Sequence, residues 1–392
     1  MFSRRIPARL TRNRLTDAIE ASRRAGHAFI DLTLSNPTRA SLDYPPNLLD
    51  TLAAPAGRAY QPEPRGLPSA RDAVATDYGR RGLTVSPDRI VLTASTSDAY
   101  SMLFKVFCDA GDEVLVPRPS YPLFEHLTRL DSVIARAYIL DYHGTWSTDI
   151  ASVERAITDR TRALLMVSPN NPTGSYVQPE ELEALSALCR SRNIPLIADE
   201  VFAEYELTPG ALARSARVLN RDDVLVCSLG GLSKSAGLPQ VKLGWMAIAG
   251  PDALVDAALE RIDFVADAYL SVSTAAQHAA ENLIAGGSLV RQQIQQRITV
   301  NLDQLRVRTV ATPSCRLLYA EGGWYAIVQV PTLVPEEELV LELLRVDHVL
   351  VHPGYFFDFA RESFLVVSLL PEPALFLEGV SRMLGRFDRA TA

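Results

Sequence analysis

From residue 88 onward, short apolar runs alternate with stretches in which apolar residues recur every three or four positions. The runs at 89–93, 113–117, 133–140, 162–167, 194–198 and 224–228 predict strands, and the periodic stretches at 97–108, 122–130, 149–156 and 179–192 predict helices. Most of the strand runs are continuously apolar rather than alternating, so both faces of the sheet should be covered. Strand and helix in strict alternation predict an α/β fold built on a mostly parallel, doubly wound sheet. Such sheets bind ligands at the carboxyl ends of their strands. The residues directly after each run are therefore the ones to inspect for chemistry.

Beyond Asp252 the pattern turns helical, over 253–284 and again over 289–307. From Leu317 onward, strand-like pieces at 324–330, 349–351 and 364–369 surround a helix at 336–345. Together with roughly the first 45 residues, this predicts a smaller α+β domain. The division is then a large domain over 46–290 and a small domain built from 1–45 and 291–392. No internal repeat or low-complexity linker interrupts the chain.

Composition narrows the function classes. A chain of 392 residues corresponds to two or three domains at about 150 residues each, enough for a large core without disulfides or metal. Hydrophobic residues at 47% and charged residues at 22% are those of a globular enzyme. The charge balance, 39 − 46 = −7, offers no basic excess for nucleic acid or an anionic membrane. Cys108, Cys189, Cys227 and Cys315 form no CxxC pair. They argue against a zinc ribbon or disulfide framework and fit a reducing, cytoplasmic setting with no metal. No apolar run approaches the ~18 residues of a membrane span. Five arginines (Arg4, Arg5, Arg9, Arg12, Arg14) precede the first acid, Asp17. They read as a solvated arm or helix face, or as a transit peptide; no apolar segment follows that would mark secretion.

Four segments carry candidate chemistry, each after a predicted strand. Ser228-Leu229-Gly230-Gly231-Leu232-Ser233-Lys234-Ser235 presents one lysine in a glycine- and serine-rich loop, either an amine nucleophile for a carbonyl cofactor or an ordinary solvated lysine. Asp199 ends an apolar run, as an acid or as a helix cap. Ser168-Pro169-Asn170-Asn171-Pro172-Thr173-Gly174 is a stiff turn able to hold an amide over a ligand. Ser95, Thr96 and Ser97 open a helix, where hydroxyls and free N–H groups suit a phosphate or serve as a plain N-cap.

In order and spacing, from about Leu34 to about Pro371, these segments resemble the class I/II aminotransferases of the pyridoxal-phosphate (PLP) fold type I group. The Asn171 turn is followed 28 residues later by Asp199-Glu200 and then by the Ser233-Lys234 loop. The resemblance implies that Lys234 forms the Schiff base with PLP and that Asp199 pairs with the pyridine nitrogen. Asn171 would hydrogen-bond the ring oxygen, and Tyr121, in Pro117-Arg118-Pro119-Ser120-Tyr121, would stack on the ring. Ser95, Thr96, Ser97 and Ser233 fall at phosphate-side positions. Tyr60 matches a tyrosine that reaches the neighbouring subunit's phosphate, which implies a homodimer. The reaction implied is ping-pong transfer of an amino group from an amine donor to a keto acceptor. A lyase, racemase or decarboxylase on the same fold is the alternative, with a non-catalytic PLP-binding module behind it. No GxGxxG follows any strand, which argues against a nicotinamide enzyme.

Three positions depart from the family pattern. Phe202 replaces the usual tyrosine three residues after the aspartate, which leaves the ring oxygen one hydrogen bond short. Lys242 replaces the phosphate-binding arginine eight residues after the lysine. In Val366-Val367-Ser368-Leu369, Val366 stands where the family carries the arginine that grips the substrate carboxylate. Arg39 and Asn36, in the loop Leu34-Ser35-Asn36-Pro37-Thr38-Arg39, are the expected substitutes on the substrate side, and Arg361 is the other cation near Val366.

Overall fold

The computed structural model describes residues 2–391 apart from 8, 9, 11 and 333, so Arg9 of the basic N-terminal segment lies outside the described residues. In chain order the strands are β1 (Ile30–Asp31), β2 (Ile90–Thr93), β3 (Glu113–Arg118), β4 (Ile134–Tyr142), β5 (Trp146–Thr148), β6 (Thr161–Val167), β7 (Leu196–Asp199), β8 (Val226–Gly231) and β9 (Gly244–Ala249). Eight of them make one sheet, ordered β2-β9-β8-β7-β6-β3-β4-β5. The pairs β3/β4, β3/β6, β6/β7 and β7/β8 are parallel. β9 is antiparallel to both β2 and β8, and β5 is antiparallel to β4 at the far edge. Two reversals restore direction, so β2 runs the same way as β8. The carboxyl ends of β2, β3, β6, β7 and β8 therefore open on one side of the sheet.

The continuous apolar runs have the cause inferred from sequence. Along β6, Leu164 and Met166 enter one core while Ala163 and Leu165 enter the other. Helices Thr96–Phe107 and Asp252–Tyr269 cover one face, burying Leu103, Val255 and Ile262 with β3, β8 and β9. Helix Pro179–Arg192 covers the other, with Leu182 and Leu185 in that core. Its ends obey local rules: Pro179 at the first turn, a reciprocal cap between Gln178 and Glu181, and left-handed Asn193 at the close.

Two helical predictions are corrected by tertiary contacts. The expected helix 253–284 breaks after Tyr269, at left-handed Leu270, and resumes as Thr274–His278. Gln277 fixes that break: its Oε1 accepts from Leu67 N at 2.6 Å and its Nε2 donates to Val272 O at 3.0 Å. The expected gap at 285–288 does not exist, because one helix runs from Ala280 to Val310. Gly286 and Gly287 lie inside it rather than ending it. A Cβ on Gly287 would lie 2.3 Å from Ala236 Cβ, so the bare backbone lets this helix press directly on the lysine loop. Strand β9 was not separated by the pattern, since its run is bounded by glycines and follows the loop closely. The helix Pro373–Thr391 was likewise not anticipated.

The remaining strands are β10 (Arg316–Leu317), β11 (Tyr325–Gln329), β12 (Val349–Leu350), β13 (His352–Pro353) and β14 (Phe364–Ser368). Four form an antiparallel sheet ordered β10-β11-β14-β13, and β1 pairs in parallel with β12. Arg14 pairs with Glu337 and Glu338 at 2.8 and 2.6 Å, tying the N-terminal helix to helix Glu336–Arg345. The 290/291 boundary expected from sequence falls within helix Ala280–Val310. That helix carries the lysine-loop contact at one end and bonds Asn301 Nδ2 to Leu369 O and Pro371 O, at 2.9 and 2.7 Å, further along.

In a solvated helix, replacing glycine by alanine stabilises by about 1 kcal/mol. At Gly287 the Ala236 contact reverses the sign, because overpacking of this kind costs about 1–3 kcal/mol. Gly287→Ala should therefore lower the denaturation midpoint; a raised midpoint would refute the close packing of helix and loop.

Candidate active site

The common edge of β2, β3, β6, β7 and β8 borders a cleft of about 180 Å³. Eight of the residues singled out from sequence line it: Ser95, Thr96, Tyr121, Asn171, Asp199, Phe202, Ser233 and Lys234. They come from five strand ends, those of β2, β3, β6, β7 and β8, and parallel strand direction is what brings them together.

Lys234 lies on the short helix Leu232–Ser235, directly after β8. Its Nζ is 5.1 Å from the Trp324 ring centre and 5.4 Å from that of Phe202. Burial among these rings pushes the amine down to about 8, and the opposing charge of Asp199 limits the fall. The chain has three lysines. Lys105 is paired with Asp131 on the surface side of a helix, Lys242 is exposed, and Lys234 alone enters the cleft.

Asp199 is the last residue of β7 and is buried. The Tyr100 hydroxyl donates to its Oδ2 at 2.7 Å and Val201 N donates to Oδ1 at 3.1 Å. Burial raises its pKa, while those two bonds and the Lys234 charge pull the other way. A protonated ring nitrogen at this carboxylate would supply the cationic partner that burial demands.

Asn171 is held by its neighbour. Asn170 Nδ2 donates to Ser120 Oγ at 3.0 Å, Asn170 O accepts from Gly174 N at 2.7 Å, and Asn170 Oδ1 accepts from Thr173 Oγ1 at 3.0 Å. Gly174 has φ +70°, and a Cβ there would meet Gly322 O at 2.6 Å, so the turn requires glycine. Asn171 itself lines the cleft, and its Oδ1 is buried without a hydrogen-bond partner. An amide so placed fits a bound group carrying its own polar atoms. Tyr121 is half-buried with its ring edge-on to Phe124, and burial pushes its hydroxyl up to about 12. It is a neutral aromatic wall.

At the phosphate side, Ser95 caps helix Thr96–Phe107, its hydroxyl accepting from Asp98 N at 3.1 Å. Asp98 Oδ2 in turn accepts from Ala94 N at 2.9 Å and from Ser271 Oγ at 2.6 Å, which fixes the loop. The leading N–H groups of that helix are available to an anion. Together, a cleft lysine, a buried carboxylate, an orphaned amide oxygen, an aromatic wall and a helix N-terminus fit PLP.

Five predicted residues lie elsewhere. Ser97 follows in the helix and does not line the cleft. Lys242 is exposed, on a left-handed turn after Pro239–Val241. Tyr60 is 74% exposed and borders a separate hollow with Ala266 and Ser271. Asn36 and Arg39 are exposed as well; Asn36 Oδ1 accepts from Thr38 N at 3.0 Å, and it is Ser35, one residue earlier, that reaches the cleft. Val366 is fully buried in β14 opposite Ile327 and His352. His352 offers no charge there, since burial pushes it down to about 4. Sequence reasoning missed Tyr100, Trp324 and Tyr325, because aromatic residues in a helix and a strand read as core.

Comparison with known proteins assigns the family. Residues 29–374 match the family profile of aminotransferase class I and II. The chain belongs to this family. It is 30% identical over 365 residues to the alanine aminotransferase of Mycobacterium tuberculosis, covering 88% of this chain and 82% of the relative. It is 26% identical over 377 residues to the glutamate-pyruvate aminotransferase of Escherichia coli K12, covering 93% and 90%. The solved alanine aminotransferase of Pyrococcus furiosus superposes with a TM-score of 0.86 at 26% identity, over 99% of this chain and all of that one. This aminotransferase is thus a PLP-dependent transferase of fold type I.

A lysine pushed from 10.5 down to about 8 is a nucleophile above that pH and a protonated, unreactive ammonium below it. In the cofactor-free protein, labelling of Lys234 by an amine-selective reagent, followed by peptide mass spectrometry, should therefore reach half its maximal rate near pH 8. Asp199→Asn removes the charge that favours the ammonium, so its midpoint should move lower. A wild-type midpoint near 10.5 would contradict the desolvated environment.

Proposed function

We propose that this aminotransferase moves the amino group of L-glutamate onto pyruvate, or that of L-alanine onto a different keto acid, with Lys234 and Asp199 as its catalytic pair. The relatives' names suggest those substrates, and the lone cleft lysine facing a buried carboxylate carries the mechanism. When bound, PLP supplies a carbonyl that links reversibly to amines and a ring that withdraws electrons from the carbon next to the nitrogen.

Lys234 Nζ would hold the cofactor by its carbonyl, and the donor amine would take its place. Once free, the same nitrogen would act as base toward the donor's α-carbon and then give the proton back as an acid. Its pKa near 8 lets it serve as base and acid at neutral pH. Asp199, oriented by Tyr100 and Val201, keeps the ring nitrogen protonated. Asn171 holds the ring oxygen, without a second hydroxyl from Phe202. Tyr121 would cover one ring face, and Ser95, Thr96 and Ser233, which line the cleft, would bind the phosphate, while Ser97 and the exposed Lys242 lie outside it. The aromatic rings of Phe202 and Trp324 keep water from the amine.

The homodimer reading rests on exposed apolar surface. Tyr60, Phe264 at 82% and Tyr269 at 60% exposure are large rings left in solvent, and the Tyr60 segment borders Ala266–Thr274. A second copy would cover them and let Tyr60 approach its partner's phosphate. No helix among the described residues is long and apolar enough to cross a membrane, and all four cysteines are free thiols, which fits a cytoplasmic setting.

Among the described residues, Lys234 is the only cation lining the cleft. Arg39, four residues beyond the cleft residue Ser35 and without a side-chain partner among the described residues, is our candidate for gripping the substrate carboxylate. Mixing the loaded enzyme with L-alanine or L-glutamate should bleach the visible band, and pyruvate should restore it; no bleaching with either donor would refute the substrate assignment. Losing a charged hydrogen-bond pair costs about 1.5–3 kcal/mol, so Arg39→Ala should lower kcat/KM for the active donor about ten- to a hundredfold. Unchanged kinetics would remove Arg39 from the substrate site.

A further inference from the structure

The two carbonyls that end the lysine helix are both held by side chains from outside it. Tyr205 donates its hydroxyl to Lys234 O at 2.5 Å, and Arg291 Nη1 donates to Ser235 O at 2.8 Å. Beyond this four-residue helix, Leu232–Ser235, Ala236 N and Gly237 N reach back to Lys234 O, Gly237 N at 3.3 Å, and the two side chains supplement them. Both donors trace back to one segment. Tyr205 is fully buried, six residues after Asp199. Arg291 is paired at 3.5 Å with Glu204, the residue before Tyr205, and the two side chains are 12% and 13% exposed.

Glu204 is itself fixed. Arg80, at the end of helix Pro68–Arg80, binds its other carboxylate oxygen. The oxygen facing Arg291 is buried and has no hydrogen bond, so the Arg291 guanidinium is its compensating charge. The segment 199–205 thus grips the lysine from several sides. Asp199 acts on the amine by charge and Phe202 by its ring. Tyr205 holds the lysine's own carbonyl, and Glu204, through Arg291, holds the next one.

We propose that Arg291, oriented by Glu204, is a positioning residue that fixes the backbone of Lys234 relative to Asp199. Arg291 lies on helix Ala280–Val310, four residues beyond Gly287, so the helix both presses on the loop and bonds to it. Without the guanidinium, Ser235 O loses its side-chain donor, Glu204 is left with Arg80 as its one ion-pair partner among the described residues, and the loop loosens toward water. This rests on Lys234 being the lysine that links to the cofactor.

The test uses the cofactor-loaded enzyme with L-glutamate as donor and pyruvate as acceptor. It compares Arg291→Met, Arg291→Lys and Glu204→Gln. Misplacing a reacting group by a fraction of an ångström costs about ten- to a hundredfold, so Arg291→Met should lose that much kcat with little change in KM. Hydration favours the protonated nitrogen, so the pH midpoint of the visible band should rise by about half a unit or more. Arg291→Lys, which keeps one donor and the charge, should recover most of both, and Glu204→Gln should fall between. Wild-type kcat and midpoint in Arg291→Met, or a loss of kcat with an unmoved midpoint that lysine fails to rescue, would overturn the proposal. Should Arg291→Met not fold, an unmoved midpoint in Glu204→Gln overturns it equally. Lys234→Ala serves as the control: if it retains the band, the assignment of Lys234 fails, independently of Arg291.

Discussion

Everything at this site answers to one constraint: an amine and a carboxylate must share one cleft out of water. Lys234 is pushed down to about 8 by burial, and Asp199 is pushed up by the same cause. Neither charge is comfortable alone, and desolvated pairs are stable only with good geometry and further hydrogen bonds. The Tyr100 hydroxyl and Val201 N–H serve Asp199, while the rings of Phe202 and Trp324 face the ammonium. The strain in that pairing is relieved by a ligand that brings both a carbonyl for the amine and a basic nitrogen for the acid.

The fold supplies the rigidity this needs. Asp199 and Lys234 follow neighbouring parallel strands, β7 and β8, whose register pairs Asp199 with Leu229. Three further strand ends deliver Ser95, Tyr121 and Asn171 to the same edge. The long helix Ala280–Val310 then backs the lysine loop through a contact only glycine allows at Gly287. A displaced amine in such a frame returns to the same place after each half-reaction.

Much of this was legible in the amino-acid sequence, for physical reasons. A strand buried on both faces writes a continuous apolar run, and a functional loop after it writes polar and glycine residues that a core would not tolerate. That is why Asn171, Asp199 and Lys234 stood out. Tyr100, Tyr205 and Trp324 did not, since an aromatic residue that donates a hydrogen bond to a site or walls it looks like one that merely fills space. Arg291 was hidden for a similar reason: one arginine in a helix rich in polar residues has no signature until the fold sets it beside Ser235. The break after Tyr269 was not legible because Gln277, which fixes it, acts across 210 residues of sequence. On the substrate side, the absence of a cation at Val366 was legible, but its replacement was not, because exposed Asn36 and Arg39 are placed by a loop rather than by a core.

The central claim is that Lys234, of the three lysines in the chain, is the one that carries the cofactor. Borohydride reduction of the PLP-loaded enzyme makes that link permanent, and digestion with mass spectrometry then locates it. The account predicts a single modified residue, Lys234, with Lys105 and Lys242 untouched. Modification at Lys105 or Lys242 in place of Lys234, or no modified lysine in an enzyme that still transaminates, would contradict it.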